Sequence, residues 1–68
     1  MASGTVKSFN AVSCYGFIAP DEAGRDLWVH QRNVIGDHQE NLIEGERVEF
    51  ELRKGGMGPE AINVMRGH

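Results

Sequence analysis

Apolar and polar residues alternate in short runs along this chain, and clusters of turn formers separate the runs. Residues 47–54 are the clearest case: Val48, Phe50 and Leu52 alternate with Arg47, Glu49, Glu51 and Arg53. Successive strand side chains point to opposite faces, so this stretch predicts a half-buried strand with an apolar inner face and a solvated outer one. Two runs near the start carry rings instead. Cys14-Tyr15-Gly16-Phe17-Ile18 puts Tyr15 and Phe17 on one face and Gly16 and Ile18 on the other. Leu27-Trp28-Val29-His30 puts Trp28 and His30 on one face, with Leu27 and Val29 behind them. If Ile18, Leu27 and Val29 belong to the core, four flat rings point outward together.

The remaining elements are less regular. Strands are expected at about residues 4–10, 15–19, 26–30, 47–54 and 60–66. In the first, Val6 takes one face and Thr5, Lys7 and Phe9 the other, unless a bulge turns Phe9 inward. The last, with Ala61, Ile62, Val64 and Met65, has no clean alternation. Val34, Ile35, Leu42 and Ile43 are expected to plug the ends of the fold. Pro20 to Gly24 reads as a turn, Gly36 to Asn41 as a longer polar loop, Glu44-Gly45-Glu46 as a tight turn and Gly55 to Pro59 as a Gly-rich connection. No segment has helical periodicity over three turns. Five short strands without a helix give an all-β domain, and so small a sheet must close on itself to bury a face and protect its edges. The expected architecture is a five-stranded antiparallel Greek-key barrel, with residues 1–68 as a single domain.

Composition narrows the function classes. A chain of 68 residues buries only about 60% of its unfolded surface, which leaves no room for both a core and a deep catalytic cleft. No apolar run is long enough to span a membrane, and the stretch from Met1 to Lys7 lacks the apolar region of a secretion signal. Cys14 is the only cysteine, so no internal disulfide forms. These points give a cytoplasmic expectation. Cys14, His30, His38 and His68 match no zinc spacing, and Gly55, Gly56 and Gly58 lack the Lys-Ser/Thr and the helix of a phosphate loop. No metal, no cofactor and no small-molecule substrate are expected. Nor is catalysis, since no nucleophile–base pair is placed by spacing.

The formal charge is −3, but its excess lies in the second half. Up to Val34, Lys7, Arg25 and Arg32 balance Asp21, Glu22 and Asp26. Tight electrostatic binding to duplex DNA is therefore not expected, whereas stacking with few phosphate contacts is compatible with the balance. Exposed rings on a strand suit unpaired nucleic-acid bases.

Gly4-Thr5-Val6-Lys7, Phe9-Asn10, Tyr15-Gly16-Phe17-Ile18, Asp26, Val29-His30, Gly45, Gly58-Pro59, Ala61 and Asn63-Val64 together resemble the bacterial cold-shock protein family over nearly the whole chain. The resemblance implies an oligonucleotide-binding (OB-fold) barrel, the cold-shock domain. It implies binding of single-stranded RNA and DNA, and a role as RNA chaperone or regulator of gene expression. Tyr15–Ile18 and Trp28–His30 correspond to the family's two RNA-binding motifs. The site expected from rings and resemblance together comprises Lys7, Phe9, Tyr15, Phe17, Trp28, His30, Gln31, Arg32, Gln39 and Lys54. Rings would stack bases, cations would meet phosphates, and Gln31 and Gln39 would reach base edges. The chain departs from the family pattern at Ser8, Gln31 and Gln39, where rings are usual, and at Ser13 and Met57, where cations are usual. Trp28 replaces the usual Phe. The missing groups and the acidity motivate an alternative: a divergent barrel with weakened nucleic-acid binding that acts as a protein-interaction module. A monomer is expected, with a strand-exchanged dimer open to so small a barrel.

Overall fold

The computed structural model describes residues 2–22, 24–35, 42–56 and 58–66. Among these residues five strands follow in order: β1 (Ala2–Asn10), β2 (Tyr15–Pro20), β3 (Leu27–His30), β4 (Arg47–Gly55) and β5 (Gly58–Arg66). A 3-10 turn, Gln31–Asn33, follows β3. The strands close into a barrel in the order β1-β2-β3-β5-β4, with β4 returning beside β1. The expected all-β Greek-key barrel is therefore what forms.

One seam differs from the antiparallel expectation. β3 and β5 run parallel, joined at Trp28↔Glu60, and just beyond β3 the bridge Val34↔Val64 continues the contact. The cause is arithmetic. A closed ring with an odd number of strands cannot alternate direction all the way round, so one neighbouring pair must be parallel.

Two bulges explain the strands whose patterns were irregular. Between Val6 and Ser8, β1 advances two residues while β2 advances one, from Ile18 to Phe17. Lys7 is the extra residue. Val6 and Phe9, three apart, consequently both turn inward, and Phe9 packs half-buried against the core. On β5 the register steps three residues, Met65 to Ile62, against two on β4, Glu49 to Glu51. Asn63 takes up the difference in a left-handed conformation, φ 50°, a region Asn tolerates better than most residues. Ala61 and Val64 are thereby both buried in the core.

β4 outruns its partner. Its pairing with β1 stops at Ala2↔Phe50. Val48 and Phe50 are buried as the alternation requires, but Leu52, expected beside them, is 61% exposed and lies past the last described β1–β4 pair. The plug residues also divide. Val34 and Leu42 are buried, whereas Ile35 and Ile43 are exposed. Neighbouring side chains on an extended chain face opposite ways, so only one of each pair can enter the barrel.

Candidate nucleic-acid interface

The β2–β3 ladder sets the outer face. Tyr15 pairs with His30 and Phe17 with Trp28, while Gly16↔Val29 and Ile18↔Leu27 face the interior. Directly opposed residues on one face lie within contact distance. The four rings accordingly form one cluster. Tyr15 and Trp28 have centroids 5.8 Å apart and lie at 32°. Tyr15 meets Phe17 edge-on at 6.4 Å, and Trp28 lies 5.9 Å from His30. Tyr15 and Phe17 are 39% and 37% exposed, while Trp28 and His30 are half-buried. Four rings held side by side on a rigid sheet, each with an accessible surface, are platforms for planar ligands.

Glycine makes this face possible. A Cβ on Gly16 would stand 2.1 Å from the Ser8 carbonyl oxygen and 2.7 Å from the Phe9 Cα. The bulge at Lys7 brings β1 that close to β2, so Tyr15 and Phe17 must be separated by a residue without a side chain. Gly4 plays the same part lower on β1, where a Cβ would come 2.6 Å from the Ala19 carbonyl oxygen.

His30 is oriented by the chain that follows it. Its Nδ1 accepts a hydrogen bond from the Arg32 backbone N–H at 3.1 Å, capping the 3-10 turn. In the neutral ring the proton then sits on Nε2, on the far side from the turn. The Gln31 backbone N–H donates to the Cys14 carbonyl at 2.8 Å, which ties this turn to the loop before β2. That loop is organised by Asn10, whose Oδ1 accepts from the Val12 and Ser13 N–H groups at 2.8 and 3.2 Å. Cys14 closes it in a left-handed conformation, φ 63°.

The polar candidates divide. Lys7 does not stand free: its ammonium donates to Asp26 Oδ2 at 2.8 Å. The two lie nineteen positions apart, so no local pattern signals the pairing. Arg32 is exposed on the turn beside His30. Phe9 packs inward, yet its ring borders a shallow hollow with Ser8, Tyr15, Phe17 and Glu44. Lys54 lies elsewhere, lining a groove with Phe50 and Leu52 at one end of the barrel. Gln39 and the Gly36–Asn41 loop lie outside the described residues, as does Met57. Among the described residues no cluster of three or more His, Cys, Asp or Glu side chains could hold a metal ion.

The family profile of the "Cold-shock" DNA-binding domain matches residues 2–66. The chain is 47% identical over 66 residues to the "Major cold shock protein" of Micrococcus luteus, covering 97% of this chain and 98% of that one. It is 44% identical over 64 residues to the "Cold shock protein ScoF" of Streptomyces coelicolor, covering 94% and 96% respectively. With the "Cold shock-like protein CspE" of Escherichia coli the identity is 42% over 62 residues, covering 91% and 90%. Among solved structures, "drosophila Unr CSD456" superposes with a TM-score of 0.81 over 98% of this chain and 26% of that one. At 22% identity that likeness speaks for the fold alone.

Proposed function

The chain belongs to the cold-shock domain family, and from that premise we propose that it binds single-stranded RNA and DNA by stacking bases on the outer face of β2 and β3. The observation that carries this reading is the contiguous cluster of Tyr15, Phe17, Trp28 and His30. Successive unpaired bases would lie on the rings, each worth about 1–3 kcal/mol. The His30 Nε2–H supplies a directional donor to a base edge, and Arg32 meets the backbone. Lys7 can join only by giving up Asp26. An exposed ion pair of this kind contributes about 0–1 kcal/mol, so the exchange is cheap. Binding is passive and sequence-tolerant, and traps strands that would otherwise pair. That is the action of an RNA chaperone or a regulator of gene expression, exercised by a monomer in the cytoplasm.

Trp28 is the only tryptophan and belongs to the cluster, so its fluorescence reports occupancy. A short pyrimidine-rich single strand should quench it, and duplex DNA of equal length should do so far less, because paired bases hide their faces. With few cations near the rings, log K should fall with log salt at a slope shallower than about −2. Absence of quenching at high strand concentration, with the protein folded, would overturn the reading and leave the rings as a protein-contact surface.

A further inference from the structure

The row that carries Phe17 and Trp28 does not end at Trp28. Residues paired in register share a face of the sheet. Ser8 pairs with Phe17, Phe17 with Trp28, Trp28 with Glu60 and Glu60 with Arg53. One outward row therefore crosses all five strands, and Arg53 on β4 lies two strands beyond Trp28, about 10 Å away at the usual strand spacing. Glu60 faces outward yet is only 7% exposed. Its Oε1 accepts hydrogen bonds from Arg53 Nε at 2.8 Å and Nη2 at 2.5 Å. The same oxygen lies against the end of the β4–β5 hairpin, where a Cβ on Gly55 would stand 2.8 Å from it. A carboxylate so enclosed has little room to swing. Two bonds to it from one edge of the guanidinium fix the direction of that plane. The Arg53 side chain is nevertheless 54% exposed.

A phosphate-binding cation would be arranged differently. The charge of Arg53 is already balanced by Glu60, whose side chain is 9% exposed. Turning Arg53 to a phosphate would leave that desolvated carboxylate unpaired, which is strongly unfavourable. Lys7 faces no such barrier, because its partner Asp26 is open to water. What Arg53 keeps free is a flat face, and guanidinium planes stack bases as rings do. We propose that Arg53, positioned by Glu60, is a further stacking platform for the single strand and takes the next base beyond Trp28. The proposal rests on the stacking of bases on Tyr15, Phe17 and Trp28, and carries the path onto β5 and β4. Arg47 forks onto Asp21 in a similar way, but it stands opposite Thr5, off this row.

The test is Arg53→Lys, which keeps a charge beside Glu60 and removes the plane. Oligothymidylates lengthened one nucleotide at a time are titrated against Trp28 fluorescence, with urea melts to establish the fold. Wild type should go on gaining affinity for one nucleotide more than the variant does. On the longer strands the variant should bind about fivefold more weakly at unchanged salt slope. Arg53→Met combined with Glu60→Gln removes the pair without leaving a buried charge, and should show the same loss even if Arg53→Lys does not fold. Arg47→Lys should bind as wild type does. A folded Arg53→Lys, or a folded double variant, that binds as tightly as wild type at every length would overturn the proposal. So would a double variant with a salt slope shallower by about 0.7, the mark of a lost phosphate contact. Strands that fail to quench the wild type at all would overturn the stacking reading itself, and this platform with it.

Discussion

Ser8 and Phe17 stand opposite each other across the β1–β2 ladder, one step past the bulge at Lys7, and both are exposed. The ring row of β2 and β3 thus ends against a hydroxymethyl group, which offers a base almost no stacking area. Ser8→Trp is expected to extend the row by one platform. Single-strand affinity should rise by about 1 kcal/mol or more, roughly fivefold, with little change in salt slope. Isothermal titration of both proteins with one oligonucleotide checks this. Unchanged affinity with an intact fold would mean that bases do not reach this end of the face.

Removal of a ring should act the other way. Phe17→Ala and Trp28→Ala are each expected to weaken single-strand binding by about 1–3 kcal/mol if each ring carries one base. Both side chains lie on the outer face of the β2–β3 ladder, so neither change should unfold the domain. Thermal melts run beside the titrations separate the two effects. Joint loss of folding and binding would make the rings part of the support of the barrel.

Gly16→Ala tests what holds the face together. The new methyl would collide with the Ser8 carbonyl and the Phe9 Cα, both backbone atoms. A side chain could swing aside, but here the strands themselves must separate. A cost of about 3 kcal/mol is expected, the upper end for overpacking. A domain this small has little stability to lose. Urea unfolding followed by Trp28 fluorescence should show a strongly lowered midpoint, and a loss below about 1 kcal/mol would contradict the close approach.

The barrel and the ring cluster were legible because both follow from alternation. Tyr15, Phe17, Trp28 and His30 share parity within two short strands, and Ile18, Leu27 and Val29 confirm which side is inward. What could not be read is what depends on partners distant in sequence. The bulge that turns Phe9 inward exists only in the register of β1 against β2. The exposure of Leu52 goes with the register of β4 against β1, not with anything in the β4 pattern. The Lys7–Asp26 pair forms across the barrel wall, so a residue expected to wait for phosphate already has a carboxylate. Periodicity reports which side of a strand is apolar. It does not report how far the neighbouring strand extends.

Cys14 offers a gain in stability. Its φ of 63° is a conformation that a residue with a Cβ adopts at some cost and glycine adopts freely. Its side chain is held by little more than a 3.5 Å contact from Sγ to the Ala11 carbonyl. Cys14→Gly should raise stability by about 1 kcal/mol, relieving the backbone by more than the added freedom of the unfolded chain opposes. Chemical denaturation decides it, and a loss of stability would mean that the thiol packs better than its contacts indicate.

The ion pair between Asp21 and Arg47 should set part of the acid response. Arg47 Nη1 and Nη2 donate to the two Asp21 carboxylate oxygens, each at 2.6 Å. These hydrogen bonds lower the Asp21 pKa below its ordinary 3.8, against the opposing effect of desolvation and with a still smaller lowering from the Arg47 charge. A carboxylate depressed in the folded state binds its proton more readily when unfolded. Its contribution is therefore complete above the ordinary value and is lost as pH falls through the lower, folded value. Asp21→Asn removes this response. Wild type should be the more stable near neutral pH, by a small margin because the pair is exposed and screened. The margin should hold down to about pH 5 and shrink below about pH 4. Parallel urea titrations of the two proteins across that range measure it directly. A margin that stays constant, or widens as the solution is acidified, would show that Arg47 does not hold Asp21 as the geometry requires.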